Sequence, residues 1–372
     1  MKVLANLFLI IILFLFHIPL SAQRSLRFYG NGVQAPDQDR VKIRIDDPTN
    51  SNSGPPADIG AEDFTIEFWM KASLTDNTSA MTNCGTNINW IYGNIIIDRD
   101  RYNQDRKFGL SVAGGYLIFG VSGDGTGDRT ICGSTFVLDD SWHHVAIQRR
   151  RTDGHLWLYV DGILEEDVDG PDGDISYPDA GTPCSTCCGG NSCDNSDPFM
   201  VLGAEKHDAG ATYPSYNGFL DELRLSNSLR YSSNFSVPQS PFMSDTHTMA
   251  LYHCDEGSGN VLIDDSGAAG GPSPGVIHPG GSPAGPIWST DTPFSCSMAE
   301  NSWSGPQSGT WHQNPMYWSQ NYFPKICESV EINSGYHVSV TGESTARCLT
   351  LEVMPGAGFS VILGSQLEVG SN

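Results

Sequence analysis

The feature that most constrains this chain is alternation. Leu26 and Phe28, then Val41, Ile43 and Ile45, then Phe64, Ile66, Phe68 and Met70 are apolar at every second position, with mostly polar residues between them. A period of two puts successive side chains on opposite faces of an extended backbone, so these stretches read as half-buried strands. No amphipathic helical run of useful length interrupts them, which makes the class all-β. Two hairpins follow from the turn residues. Phe108, Leu110 and Val112 precede Gly114-Gly115, and Leu117, Phe119 and Val121 return. Val145 and Ile147 lead to Thr152-Asp153-Gly154, and Leu156, Leu158 and Val160 come back to a second turn at Asp161-Gly162. Paired glycines, or Asp-Gly, supply the positive φ that tight turns need. So many short strands in about 230 residues predict two packed antiparallel sheets, a jelly-roll sandwich.

The ends and the composition bound the rest. An apolar run from Leu7 to Leu20 follows Lys2 and closes on Ser21 and Ala22. Residues 1–22 therefore read as a secretory signal peptide, shorter than the about 20 apolar residues that span a bilayer. With it removed, no later stretch is a transmembrane segment, and the expected location is secreted or at the cell surface. The formal charge of −23 sets the chain against nucleic-acid phosphates, so no nucleic-acid partner is expected. Ten cysteines fit an oxidising compartment: Cys84, Cys132, Cys184, Cys187, Cys188, Cys193, Cys254, Cys296, Cys327 and Cys348. Cys84 with Cys132 and Cys327 with Cys348 are the preferred long-range pairs, and CSTCCGGNSC at 184–193 reads as local disulfides in preference to a thiolate metal site. A stretch dense in Gly, Pro and Ser at 266–300 reads as a linker between a first domain at 23–265 and a second unit at 301–372.

FTIEFWMKAS at 64–73, DDSWHHVAIQRRRTDGHLWLYVDGIL at 139–164 and GFLDELRLSNSLRY at 218–231 stand in the order and spacing of one family. In them the chain resembles the LamG-like proteins with the concanavalin A-like lectin/glucanase jelly roll. That resemblance implies a structural Ca²⁺ held by Asp221 and the main chain at Gly30; the plainer alternative is that Asp221 pairs with Arg224 or caps a bend. It also implies binding of a polysaccharide, or of an extracellular or surface protein. Trp69, Trp157 and Tyr159 lie opposite the aliphatic series and offer either a platform for sugar rings or packing beneath loops. Glucanases of this fold place E-x-D-x-(x)-E on one strand face. Glu165, Asp167 and Asp169 approach that set but have Glu166 where an aliphatic belongs and Asp169 where the acid/base Glu belongs, so no catalytic residues are assigned. From Asn301 on, Trp303, Trp311, Trp318 and Pro324 precede short strands, similar to a β-helix-like module of large surface proteins in Bacteroidetes-like bacteria. The expectation is a non-catalytic exported recognition or adhesion protein. The alternatives are a glycoside hydrolase, or a fragment of a carbohydrate-active enzyme, and a structural spacer.

Overall fold

The computed structural model describes residues 23–33, 36–46, 54–101, 103–178, 198–294, 300–320, 324, 328–341, 345–363 and 365–369. Two antiparallel sheets of eight strands pack face to face, as in a jelly roll. One runs Ile163–Val168, Leu156–Val160, His143–Arg149, Phe64–Ala72, Asn217–Ser226, Ser25–Tyr29 and Ile287–Ser289, with Thr248–Tyr252 also paired to Asn217–Ser226. The other runs Val261–Leu262, Gly275–His278, Arg40–Arg44, Phe199–Leu202, Asn94–Arg99, Lys107–Ala113, Tyr116–Ser122 and Asp128–Cys132.

The alternation read from the sequence is what fills the space between the sheets. Phe64, Ile66, Phe68 and Met70 from one sheet meet Val41, Ile43, Phe108, Leu110 and Phe119 from the other in one buried cluster. Each such side chain contributes about 1.5–3 kcal/mol when fully removed from water. The predicted turns form as expected. Gly114 and Gly115 have φ of 62° and 97°, and Asp161 and Gly162 have 50° and 75°, the doubly positive pattern of a two-residue hairpin turn.

The stretch 266–300 corrects the linker expectation. Gly275–His278 pairs with Arg40–Arg44, and Ile287–Ser289 pairs with Ser25–Tyr29, so both belong to the sandwich. Composition misled because Val276-Ile277 and Ile287-Trp288 are very short apolar pairs set among turn residues. Gly275 is also required by packing, since a Cβ there meets Val41 Cγ1 at 2.7 Å. The sandwich continues at least to Phe294, whose ring meets Trp69 edge-on at 5.3 Å.

Beyond it, short parallel strands stack in rungs. Asn301–Ser302, Ser329–Ile332 and Thr350–Val353 form one face; Ser308–Thr310, His337–Val340 and Gly358–Val361 form another. Trp303, Trp311 and Trp318 are buried against Val330, Ile332, Val338 and Val340. Trp318 Nε1 donates to Trp311 O at 3.1 Å, and Trp303 Nε1 to Pro306 O at 2.9 Å, which satisfies their indole N–H groups inside the cluster.

Cys84 and Cys132 are joined, as expected. Cys254 and Cys348 are instead buried free thiols, which removes Cys348 from the expected pair with Cys327. Both sit in apolar clusters and behave as small hydrophobes. Cys184, Cys187, Cys188, Cys193, Cys296 and Cys327, together with the apolar run at residues 1–22, lie outside the described residues.

Candidate functional site

The aromatic face offered by the first sheet is covered. Trp69 is 8 % exposed and Tyr159 is 1 % exposed. Trp69 meets His144 edge-on at 5.4 Å, and Tyr159 lies beneath Tyr231 and Phe235. A chain segment from Asn227 to Phe242 lies over this face, pinned by Gln148 Nε2 donating to Tyr231 O at 2.7 Å and Thr65 Oγ1 to Ser228 O at 2.6 Å. Glu67 anchors it from below, accepting from Arg224 Nε at 2.9 Å and Tyr231 Oη at 2.6 Å. Burial pushes the Glu67 carboxyl up, but His144, Arg224 and Tyr231 together hold it below its ordinary range. Trp157 alone stays half-exposed, flanked by His155 and with the Arg150 guanidinium 5.2 Å from its ring. Alternation fixed the face these side chains share, while a loop that begins 68 residues after Tyr159 decides that two of the three are packed beneath it.

The expected Ca²⁺ pair, Asp221 with Gly30, is not brought together. The ladder pairs Leu26 with Leu220 and Tyr29 with Asn217. Asp221, opposite Ser25, therefore lies at one end of the strand pair and Gly30 at the other, about 17 Å apart at 3.3 Å per residue. Asp221 is 2 % exposed, and its Oδ1 accepts from Glu222 N at 2.9 Å, capping a bulge where Glu222 has φ of 51°. This is the bend-capping alternative; Arg224 pairs with Glu67 instead. Ca²⁺ takes six to eight oxygens, and Asp221 and the Gly30 main chain do not converge to supply them. Burial, and next the charges of Glu222 and Asp255, push Asp221 well above the carboxylate range.

Asp221→Asn, which keeps the acceptor and removes the charge, is therefore expected to melt at or above the parent temperature at pH 8, with a chelator changing neither. A lower melting point, together with a chelator-sensitive parent, would restore the Ca²⁺ reading. The same burial sets a pH dependence. Asp255 is pushed to about 7 and Asp98 to about 8, chiefly by desolvation. Both bind protons more tightly folded than unfolded, where carboxyls titrate near 4. Their contribution is present at low pH and is lost as pH rises between about 4 and 8, so scanning calorimetry should find a higher melting point at pH 5 than at pH 8.

A second group of acids was missed by sequence reasoning. Asp100, Glu205 and His207 are buried and their ligand atoms lie within 4.8 Å of one another. His207 Nδ1 stands 3.5 Å from Asp100 Oδ2 and 3.4 Å from Glu205 Oε1. Glu205 Oε2 accepts from His207 N at 2.7 Å, and Asp98 takes Asp100 N at 2.6 Å and Lys206 N at 2.9 Å, stapling the end of Asn94–Arg99 to the loop after Phe199–Leu202. Two carboxylates and an imidazole suit a borderline divalent ion better than Ca²⁺. One carboxylate already has a cation, since Lys107 Nζ is 3.0 Å from Asp100 Oδ1. Burial raises Asp100, yet His207 and Lys107 bring it down to about 2. The two halves of this group are some 100 residues apart, which no local motif signals.

Gly30 does line a cavity. A cleft of about 560 Å³ opens between the turn Tyr29–Val33, the segment 210–217 and Gly281-Ser282, with Gln38, Asp76 and Asn94 on its walls. Its walls are fixed by amides. Asp39, fully buried, accepts from Tyr29 N at 3.0 Å and Asn31 N at 2.7 Å. Asn77 Nδ2 donates to Asn217 O at 2.7 Å and its Oδ1 accepts from Asn217 N at 3.0 Å, while Asn94 Nδ2 reaches Ser215 O at 3.0 Å. Gly32 lets two segments approach closely, since a Cβ there meets Ala204 Cβ and Ser215 Oγ at 2.5 Å. A second groove, of about 520 Å³, holds Lys42, Arg44, Phe199 and Val276.

The cleft has the size and the mixture of rigid main chain and a few polar groups usual for small-ligand sites. Residues 46–233 match the concanavalin A-like lectin/glucanases superfamily. Among solved structures, a candidate carbohydrate-binding protein from Bacteroides ovatus aligns at 15% identity and a TM-score of 0.38 over 72% of this chain and 62% of its own. This chain thus spans less than two thirds of that protein. A SAP-like pentraxin from Limulus polyphemus aligns at 14% identity and 0.38 over 69% and 97%, and the CBM40 of the Ruminococcus gnavus IT-sialidase at 17% and 0.31 over 46% and 80%. With its two eight-stranded sheets and a match over half its length, the chain belongs to the concanavalin A-like lectin/glucanases superfamily.

Proposed function

We propose that this protein is an exported carbohydrate-binding protein that recognises a glycan without cleaving it, and that the cleft beside Gly30 is where the sugar sits. The observation that carries the reading is the cleft's chemistry. Asn31, Gln38, Asn217, Ser215 and Ser282 surround a space large enough for a few sugar rings, on loops braced by the Asp39 and Asn77 hydrogen bonds. Vicinal hydroxyls both donate and accept, and side-chain amides answer them in kind.

The carboxylates nearest to a glucanase pattern support binding over hydrolysis. Glu165 spends both oxygens on the main chain, accepting Ser134 N at 2.9 Å and Thr135 N at 3.0 Å. Asp167 and Asp169 both pair with His155. A retaining mechanism needs an acid and a nucleophile free to face one another across a bond. The Cys84–Cys132 bond suits an oxidising exterior. A structural ion, on this reading, belongs at Asp100, Glu205 and His207 and not at Asp221.

The test is incubation of the chain from Gln23 onward, disulfides formed, with a panel of soluble and insoluble polysaccharides. Depletion of protein without release of reducing ends is expected. Release of reducing ends that disappears in Glu165→Gln would make the protein a hydrolase.

A further inference from the structure

The same cleft specifies the charge of what it binds. We infer that its ligand is an uncharged glycan, one without uronate, sialate or sulfate groups; this rests on the carbohydrate reading above. Among the described residues that line the cleft none is Lys, Arg or His, and the single carboxyl is that of Asp76. Placing an anionic sugar there sets its charge beside Asp76, in a protein of formal charge −23, with no cation to compensate the lost hydration.

The guanidinium that bonds the cleft wall at Asn217 is already committed. Arg27 Nη1 donates to Asn217 Oδ1 at 2.7 Å and Gly218 O at 3.3 Å, and the group lies 4.5 Å from the Tyr29 ring centroid. That commitment shapes the neighbouring amide, because with Oδ1 held by Arg27, Asn217 keeps its Nδ2 donor for a ligand. Asn31 is engaged the other way round, Nδ2 donating to Pro283 O at 2.7 Å, which keeps its Oδ1 acceptor. Gln38 likewise donates Nε2 to Asn31 O at 3.3 Å and keeps Oε1. The cleft thus offers two amide acceptors and an amide donor, a set that suits neutral hydroxyls and repels a carboxylate. The groove with Lys42 and Arg44 is a separate place, with Asp46 also on its wall and Lys42 Nζ 2.9 Å from Asp37 Oδ2.

Titration calorimetry of the chain from Gln23 onward tests this with neutral oligosaccharides (gluco-, manno- and galacto-series) and anionic ones (sialyllactose, oligogalacturonate, a heparin oligosaccharide). The expected result is binding confined to a neutral series, unchanged between about 0.05 and 0.5 M salt, where exposed charges become screened. Gln38→Ala or Asn31→Ala weakens it about tenfold, the worth of one hydrogen-bonding partner, with unchanged melting temperature. Asp76→Lys adds measurable affinity for the anionic series. Binding confined to anionic glycans, weakened by salt and lost in Lys42→Ala, would overturn the inference while leaving the carbohydrate reading intact. Neutral binding indifferent to Gln38→Ala and Asn31→Ala would overturn the assignment to this cleft. Binding of neither series would remove the carbohydrate reading itself.

Discussion

Gly120→Ala is expected to cost the sandwich about 3 kcal/mol, the top of what overpacking usually costs. Gly120 and Gly109 face each other across neighbouring strands, and the Trp90 ring lies on the space their missing side chains create. A Cβ on Gly120 falls 1.9 Å from Trp90 Cδ1, and one on Gly109 falls 2.1 Å from Cζ3. Trp90 is fully buried on the outer face of the second sheet with Ile95, Ala113 and Ile118, and its carbonyl accepts from Ser111 Oγ at 2.5 Å. Overpacking usually costs about 1–3 kcal/mol, and a rigid indole against a sheet backbone can yield less than most neighbours do. Trp90→Ala should cost about 3–5 kcal/mol by the opposite route, an empty space. Adding Gly120→Ala to Trp90→Ala should then cost far less than it does alone, because the two sites share one contact. Urea denaturation of the three variants decides it. A Gly120→Ala protein within about 1 kcal/mol of the parent would show that the indole does not rest where the sheet places it.

Loss of the Cys84–Cys132 bond should be the second large effect. The bond closes a loop spanning a sequence separation of 48, which in the chain-entropy account corresponds to about 4 kcal/mol. It works beside a backbone pair, Gly85 N to Thr130 O at 2.9 Å and Thr130 N to Gly85 O at 2.8 Å, and together these tie the segment before Trp90 to the edge strand Asp128–Cys132. Cys84 is exposed, so a reductant reaches it without prior unfolding. Denaturant midpoints with and without reductant, and in Cys84→Ser/Cys132→Ser, should fall together. Equal midpoints would mean that the segment is held by its packing alone.

The sandwich was legible because burial on one face writes a period of two into the sequence and because Gly114-Gly115 and Asp161-Gly162 declare their turns. Gly275–His278 and Ile287–Ser289 were not, because strands of three or four residues carry too little alternation to outweigh Gly and Pro around them. Composition could announce an oxidising compartment, but it could neither fix the connectivity, in which Cys84 with Cys132 was one preferred pair, nor say that Cys254 and Cys348 would be used as core volume. The site was harder still. Gly30 was singled out for a calcium ion that its distance from Asp221 excludes, and it lines the cleft for a different reason, the positive φ of 72° that turns the chain there. The cleft itself is assembled from separate segments between Tyr29 and Ser282. Each contributes one or two ordinary polar residues, so no segment carries a motif of its own. The same holds for Asp100 with Glu205 and His207, which meet only because two strands of one sheet lie side by side.

The most direct measurement is amide hydrogen exchange of the chain from Gln23 onward, with and without the neutral oligosaccharide that binds it in the panel. The account predicts added protection at Tyr29–Val33, at 210–217 and around Gly281-Ser282, with the strand His143–Arg149 unchanged. Protection concentrated at Arg150 to Trp157 or along Lys42 and Arg44, with none at the cleft, would contradict it.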